Sequence, residues 1–145
     1  MSNQIIAYGA TVERSTNGTT WQNIPECKGV AIPVVETDYR DVTSLDSPNG
    51  FREYIKGLKD AGVISLPCGY TADGYEQQIA DQEAPQPIYY RTTLKAAPNQ
   101  STGDVFTFRG FPTPKVEPGD VEGEINMTVD IRTTGDVTWA KGAAA

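Results

Sequence analysis

Histidine is absent from the 145-residue sequence. Its absence removes the side chain that titrates near neutral pH, which is also the commonest metal ligand. Asp, Glu, Lys and Cys can still act in catalysis, yet the 19 acidic residues are scattered and single out no carboxylate pair. Cysteine is nearly absent too. Cys27 and Cys68 lie far apart in the chain, fit no metal-ligand spacing and have no His to activate them. Met1 to Ala10 lacks both a basic start and an apolar stretch, so no secretory leader is expected. The two thiols are therefore expected free and buried in a reducing cytosol, in preference to a disulfide. No hydrophobic run is long enough to cross a bilayer, and no membrane insertion is expected. Nothing points to an enzyme, a metal or a cofactor.

Leucine is scarce as well: 4 residues, against 16 Thr, 11 Val and 10 Ile. β-Branched side chains are stiff at χ1 and pack well on a pleated surface, so this balance favours strands over helices. The 14 Gly and 10 Pro supply turns. The net charge of −7 is spread along the chain, which favours solubility and argues against a surface that grips phosphates. The length fits one domain.

Along the chain, Ala7 to Arg14 reads as a first strand. Asn17-Gly18 then allows a turn, and Thr19 to Ile24 should return antiparallel. Lys28 to Thr37 is a further apolar stretch that Pro33 places at an edge or a bulge. Val63 to Tyr70 reads as a strand. Tyr75 to Gln82 is the best helix, with Asp73 and Glu76 as a capping-box-like pair and Tyr75 and Ile79 on one face; Pro85 and Pro87 close it. Ile88 to Leu94 follows as a strand, then Val105 to Phe111, stopped by Pro112 and Pro114. Glu124 to Arg132 alternates strictly, with Ile125, Met127, Val129 and Ile131 on a core face and Glu124, Asn126, Thr128, Asp130 and Arg132 on a wet one. Seven or eight strands and one short helix predict a mainly β fold: two packed antiparallel sheets, as a sandwich or open barrel, with the helix flanking them. Residues 1–139 form the domain, 38–61 a long loop within it, and 140–145 a flexible tail.

The loop is the unusual part. Asp46-Ser47-Pro48-Asn49-Gly50 is a turn cluster, and after it Phe51, Tyr54, Ile55 and Leu58 sit at helix spacing. Gly57 and the shortness of the run argue against a stable isolated helix. An excursion with aromatic anchors needs something to pack on, and in so small a domain that can be a neighbouring molecule.

Residues 41–60, DVTSLDSPNGFREYIKGLKD, resemble the long loop of phage major tail tube proteins, those of long non-contractile (siphovirus-type) tails above all. The helix at Tyr75 to Gln82 and the closing strands, Val105 to Gly110 and Ile125 to Gly135, are similar to the same family. The likeness covers roughly residues 5–139. Pro112, Pro114 and Pro118 depart from it in the closing turn, and no second carboxy-terminal domain follows.

What the resemblance implies is a structural virion protein, assembled in the host bacterial cytoplasm and carried in the virion tail. Six copies would form a ring, and stacked rings a tube that conducts double-stranded DNA without binding it specifically. Its partners would be itself and the tape measure, tail terminator and tail tip proteins. The loop would reach the adjacent ring, with Leu45, Phe51, Tyr54, Ile55 and Leu58 as apolar anchors and Arg40, Arg52 and Lys56 pairing with acids there. Glu124 and Asp130 are the candidates for an acidic lumen over which DNA slides. Two alternatives stay open. One is the inner tube of a contractile tail, bacteriocin or secretion device. The other is a monomeric β-sandwich binding module using Trp21 and Trp139 as platforms.

Overall fold

The computed structural model of the chain describes residues 4–30, 32–117, 119, 121 and 123–144. Among them are eight strands and one α-helix: β1 (Thr11–Ser15), β2 (Gln22–Asn23), β3 (Glu36–Asp41), β4 (Tyr54–Asp60), β5 (Val63–Gly69), α1 (Ala72–Glu83), β6 (Ile88–Thr93), β7 (Val105–Glu117) and β8 (Asn126–Ala140). Six strands make an antiparallel half-barrel in the order β2-β1-β6-β7-β8-β5. The second sheet is the two-stranded ribbon β3-β4. The chain is mainly β with one flanking helix, as its composition foretells.

One face of the six-stranded sheet carries the core. Val12, Ile88, Tyr90, Phe108, Met127, Val129, Ile131, Leu66 and Cys68 are all buried there. Tyr90 and Phe108 are register partners on β6 and β7, and their rings stack with centroids 5.5 Å apart. Met127, Val129 and Ile131 follow the expected alternation, because a period of two sends every second side chain to the same face. Ile125 does not follow it. It precedes β8 and is half exposed.

The helix lies against the core face, opposite β7. It is longer than expected, 12 residues, and starts earlier. Thr71 caps it: its hydroxyl accepts from the Gly74 N–H at 3.1 Å, in place of the Asp73–Glu76 pairing. A β-region hydroxyl residue before the first turn satisfies an otherwise orphaned donor. Ala84 returns to extended backbone as the residue before Pro85 must. The side chains that face the sheet are Gln78 and Asp81, with Tyr75 half buried beside Tyr70. Asp81 is paired with Arg14 of β1, and Arg14 also donates to Gln22 of β2 at 2.6 Å. Burial pushes the Asp81 carboxyl up, and Arg14 offsets only part of that. This buried pair ties the helix to β1.

Three strand expectations need correction. The first strand begins at Thr11, and its return is only β2, reached through a loop in which Asn17 Oδ1 accepts from the Thr19 and Thr20 N–H groups. Among its described residues, Lys28 to Thr37 forms no strand before Glu36; Glu26 to Lys28, just after Pro25, run as a strap past the edge of β5. β7 does not stop at Pro112. It continues through Pro114 to Glu117, paired with β8 throughout. β6 ends its pairing at Gly110, so beyond that point β7 has, among the described residues, no strand partner on that edge. Two prolines two residues apart turn their missing N–H groups to the same side, and the free edge tolerates both. Pro118 lies outside the described residues. At the end of the chain, Gly142 donates to Asp104 at 2.7 Å and Ser101 donates to the Ala143 carbonyl at 2.9 Å, which lays 142–144 along the 100–104 turn.

Candidate functional site

Residues 38–61, read from sequence as a loop with helix-like spacing, form a β-ribbon instead. Arg40 pairs with Ile55, Tyr39 with Lys56 and Asp41 with Tyr54, with a bulge opposite Asp38. The extra residue is on β4, where Gly57 and Leu58 together oppose Asp38, and a Cβ on Gly57 would come within 3.3 Å of the Asp38 carbonyl oxygen. The register therefore splits the supposed helix face: Tyr54 and Lys56 lie on the face of Tyr39 and Asp41, Ile55 lies on the opposite face with Arg40, and the bulge puts Leu58 on the side of Ile55. The Asn49-Gly50 pair produces the turn. Both residues have positive φ, 57° and 72°, which Asn tolerates and Gly adopts freely.

The tip, Val42 to Glu53, satisfies its own polar groups. Val42 N–H donates to the Glu53 carbonyl at 2.9 Å, and Glu53 N–H to the Thr43 hydroxyl at 2.8 Å. Ser47 donates to the Glu53 carboxylate at 3.1 Å. Arg52 pairs with Asp41 of its own chain at 2.8 Å, so it is not held ready for a neighbour. The Thr43 hydroxyl and N–H hold the Asp41 carboxyl below its usual range, and Arg52 adds to this. Arg40 and Lys56 make no ion pair with another described residue.

The apolar side chains have no such partners. Leu45 is fully exposed, Leu58 is 88% exposed and Phe51 71%, with Tyr54 and Ile55 more than half exposed. Tyr39, Val42, Val34 and Val35 join them, four residues that sequence reasoning did not single out. No residue of β3 or β4 is buried. The ribbon thus has a finished backbone while its large apolar side chains all stand in water, an exposed apolar patch of the kind that marks interaction sites in general.

A second unfinished feature is the sheet edge. β5 ends one side of the half-barrel, and the strap covers only its last residues, through Lys28 N–H to Pro67 O and Gly69 N–H to Glu26 O. Among the described residues, no backbone hydrogen bond reaches that side of Val63 to Leu66. On the face away from the core, acids and bases interleave. Glu13 pairs with Arg91 at 2.9 Å, Asp130 with Lys115 at 2.6 Å and Glu124 with Lys28 at 2.6 Å. The Lys115 ammonium and the Ser65 hydroxyl hold the Asp130 carboxyl below its usual range. Glu124 lies two residues before β8, not in it. The two acids singled out from sequence are thus each matched by a base of the same chain. Trp21 is engaged too, beneath the Arg91 guanidinium at 4.4 Å, while Trp139 is about half exposed.

The sequence matches no family model, and no curated protein matches it. Solved structures do, and the fold they share is tail-tube-like. A chain in the tail of an empty GTA particle, refined helically with C6 symmetry, superposes with a TM-score of 0.68 at 18% identity, covering 90% of this chain and 94% of that one. A chain of the SPP1 tail tube gives 0.66 at 13%, covering 97% and 81%. A chain of the six-fold symmetrised baseplate of the anti-feeding prophage gives 0.71 at 12%, covering 97% and 98%. At such identities the likeness establishes a common fold over nearly the whole chain.

Proposed function

We propose that this chain is a structural, non-catalytic subunit that assembles with copies of itself into stacked six-membered rings, the tube of a phage tail or a phage-like particle. The observation that carries the reading is the β3-β4 ribbon, ordered in its backbone and naked in its side chains. A neighbouring ring supplies the missing partner for Leu45, Phe51, Tyr54, Ile55 and Leu58. The open edge of β5 is where strands of the next subunit continue the half-barrel around the ring, since edge donors and acceptors seek pairing. Ring-to-ring contact is heterologous and so extends into a filament. The six-fold symmetry of the tail particle with the same fold supports this count.

The outward face of the six-stranded sheet is then the candidate wall of the bore, Glu124 and Asp130 included. Its interleaved acids and bases leave little net charge to hold a phosphate backbone, so DNA passes on a neutralised surface and not an acidic one. A major tail tube of a non-contractile tail, built on a tape measure between terminator and tip, is the form we favour. The similarity to a contractile particle's baseplate chain supports the second form, an inner tube.

Concentrated purified protein, viewed by negative-stain microscopy and sized by sedimentation, tests the reading. Rings or tubes are expected. A single compact particle at every concentration and salt sinks it and leaves the binding-module alternative.

A further inference from the structure

We propose that Cys27 and Cys68 form a dithiol site that closes to an intramolecular disulfide under mild oxidation and so locks the base of the β3-β4 arm. The proposal concerns the isolated chain and does not depend on tube assembly.

Both cysteines are free thiols, and they form an antiparallel bridge between the strap and β5. The bonds around it, Lys28 N–H to Pro67 O at 2.9 Å and Gly69 N–H to Glu26 O at 2.8 Å, flank the pair without joining it. That is the non-hydrogen-bonded kind of cross-strand pair, with Cα atoms about 4.5 Å apart. Disulfides span Cα separations of roughly 4.4–6.8 Å. The two Sγ atoms are 3.6 Å apart, so a bond of about 2.05 Å needs each to move by less than about 1 Å. Rotation of the side chains achieves this and leaves the flanking bonds in place.

Access is unequal. Cys27 is half buried and borders a cleft formed with Tyr8, Ala10, Val12 and Lys28, whereas Cys68 is sealed in the core. The S–H shared between them pushes the Cys68 thiol down and the Cys27 thiol up. A small-molecule disulfide such as oxidised glutathione therefore meets Cys27 first. Cys27 loses its proton and attacks one sulfur, forming a mixed disulfide and expelling one thiolate. Cys68 then loses its proton, attacks the Cys27 sulfur and expels the second thiolate. The dithiol loses two electrons and two protons, and the oxidant gains them as two thiols.

The closed loop runs from Cys27 to Cys68 and contains both strands of the ribbon. A cross-link over some 40 residues restricts the unfolded chain and raises Tm by roughly ten degrees. An oxidising exterior would then find the arm's two roots joined.

The purified full chain, equilibrated in glutathione buffers from fully reduced to fully oxidised and quenched by alkylation, is read by intact mass, peptide mapping and thermal melting. The expected result is a loss of about 2 Da, a linked Cys27–Cys68 peptide, an unchanged monomer and a melting point raised by roughly ten degrees, all reversed by dithiothreitol. In Cys68→Ala, the glutathione adduct should accumulate on Cys27. A lasting adduct on wild-type Cys27, linkage between chains, or alkylation of both thiols in the most oxidising buffer would overturn the proposal. The wild-type map decides the matter even where Cys68→Ala folds poorly.

Discussion

Replacing Leu45, Phe51 and Leu58 together by Ser should abolish assembly while leaving the fold intact. Their exposures of 105%, 71% and 88% mean that almost none of their apolar surface contributes to the isolated chain. Surface changes of this kind alter stability by about 0.5 kcal/mol or less each. In the proposed tube the same surface would be buried, and full burial of a Leu or Phe side chain stabilises by about 1.5–3 kcal/mol. Taking the low end for three side chains and scaling by exposure gives about 4 kcal/mol per subunit added. The entropic cost of docking is common to both proteins and cancels in the comparison. At about 1.4 kcal/mol per decade, the critical concentration should rise close to a thousandfold. Pelleting or light scattering of protein seeded with sheared tubes measures it, and urea titration of the monomer checks the fold. A triple variant that is equally stable and polymerises within about threefold of the parent concentration would refute the placement of the contact.

Asp81→Ala strands the buried Arg14 guanidinium and should cost about 3–5 kcal/mol in urea unfolding; Arg14→Met with Asp81→Leu should regain most of it. Gly110→Ala places a methyl 2.7 Å from the Arg132 carbonyl oxygen and against Ile131, so about 1–3 kcal/mol should be lost by the same measurement. The carboxyls of Asp41, Asp60, Asp104 and Asp130 are all held below 3.8, by Thr43, Gly62 N–H, Gly142 N–H and Lys115 respectively. Groups depressed in the folded state contribute fully above their unfolded value and lose that contribution as pH falls through the folded one. Asp81, raised by burial, works in the opposite sense. Tm should therefore be flat down to about pH 5 and fall below about pH 4, less steeply in Asp130→Asn; an unchanged slope in that variant contradicts the assignment.

The strands with one wet face were legible because burial imposes a period of two, as at Met127, Val129 and Ile131. The helix was legible in position but not in length, since its buried side chains are Gln78 and Asp81, polar residues that hydropathy assigns to the surface. Thr71, a hydroxyl residue immediately before Ala72, is the cap that the sequence offers, and the Asp73–Glu76 spacing obscures it. The ribbon was obscured by its exposure. With no buried face, β3 and β4 lack the alternation that marks a strand, and the spacing of Phe51, Tyr54, Ile55 and Leu58 carried no structural meaning. Asn49-Gly50, the same dipeptide that signalled a turn at Asn17-Gly18, was the available sign of a hairpin. The prolines of β7 read as a stop because sequence does not reveal which edge of a strand faces nothing.

That unpartnered margin of β7 carries a further consequence. With no amide hydrogens at 112 and 114, it can take bonds through its carbonyls yet has gaps at two of the places where it should give them. Two identical margins laid side by side would match gap to gap, so face-to-face twins are penalised from the outset. A different strand with its donors intact meets no such obstacle. Two side chains thereby build polarity into the rim, which in the proposed assembly would steer copies toward a queue in which each meets the unlike side of the next.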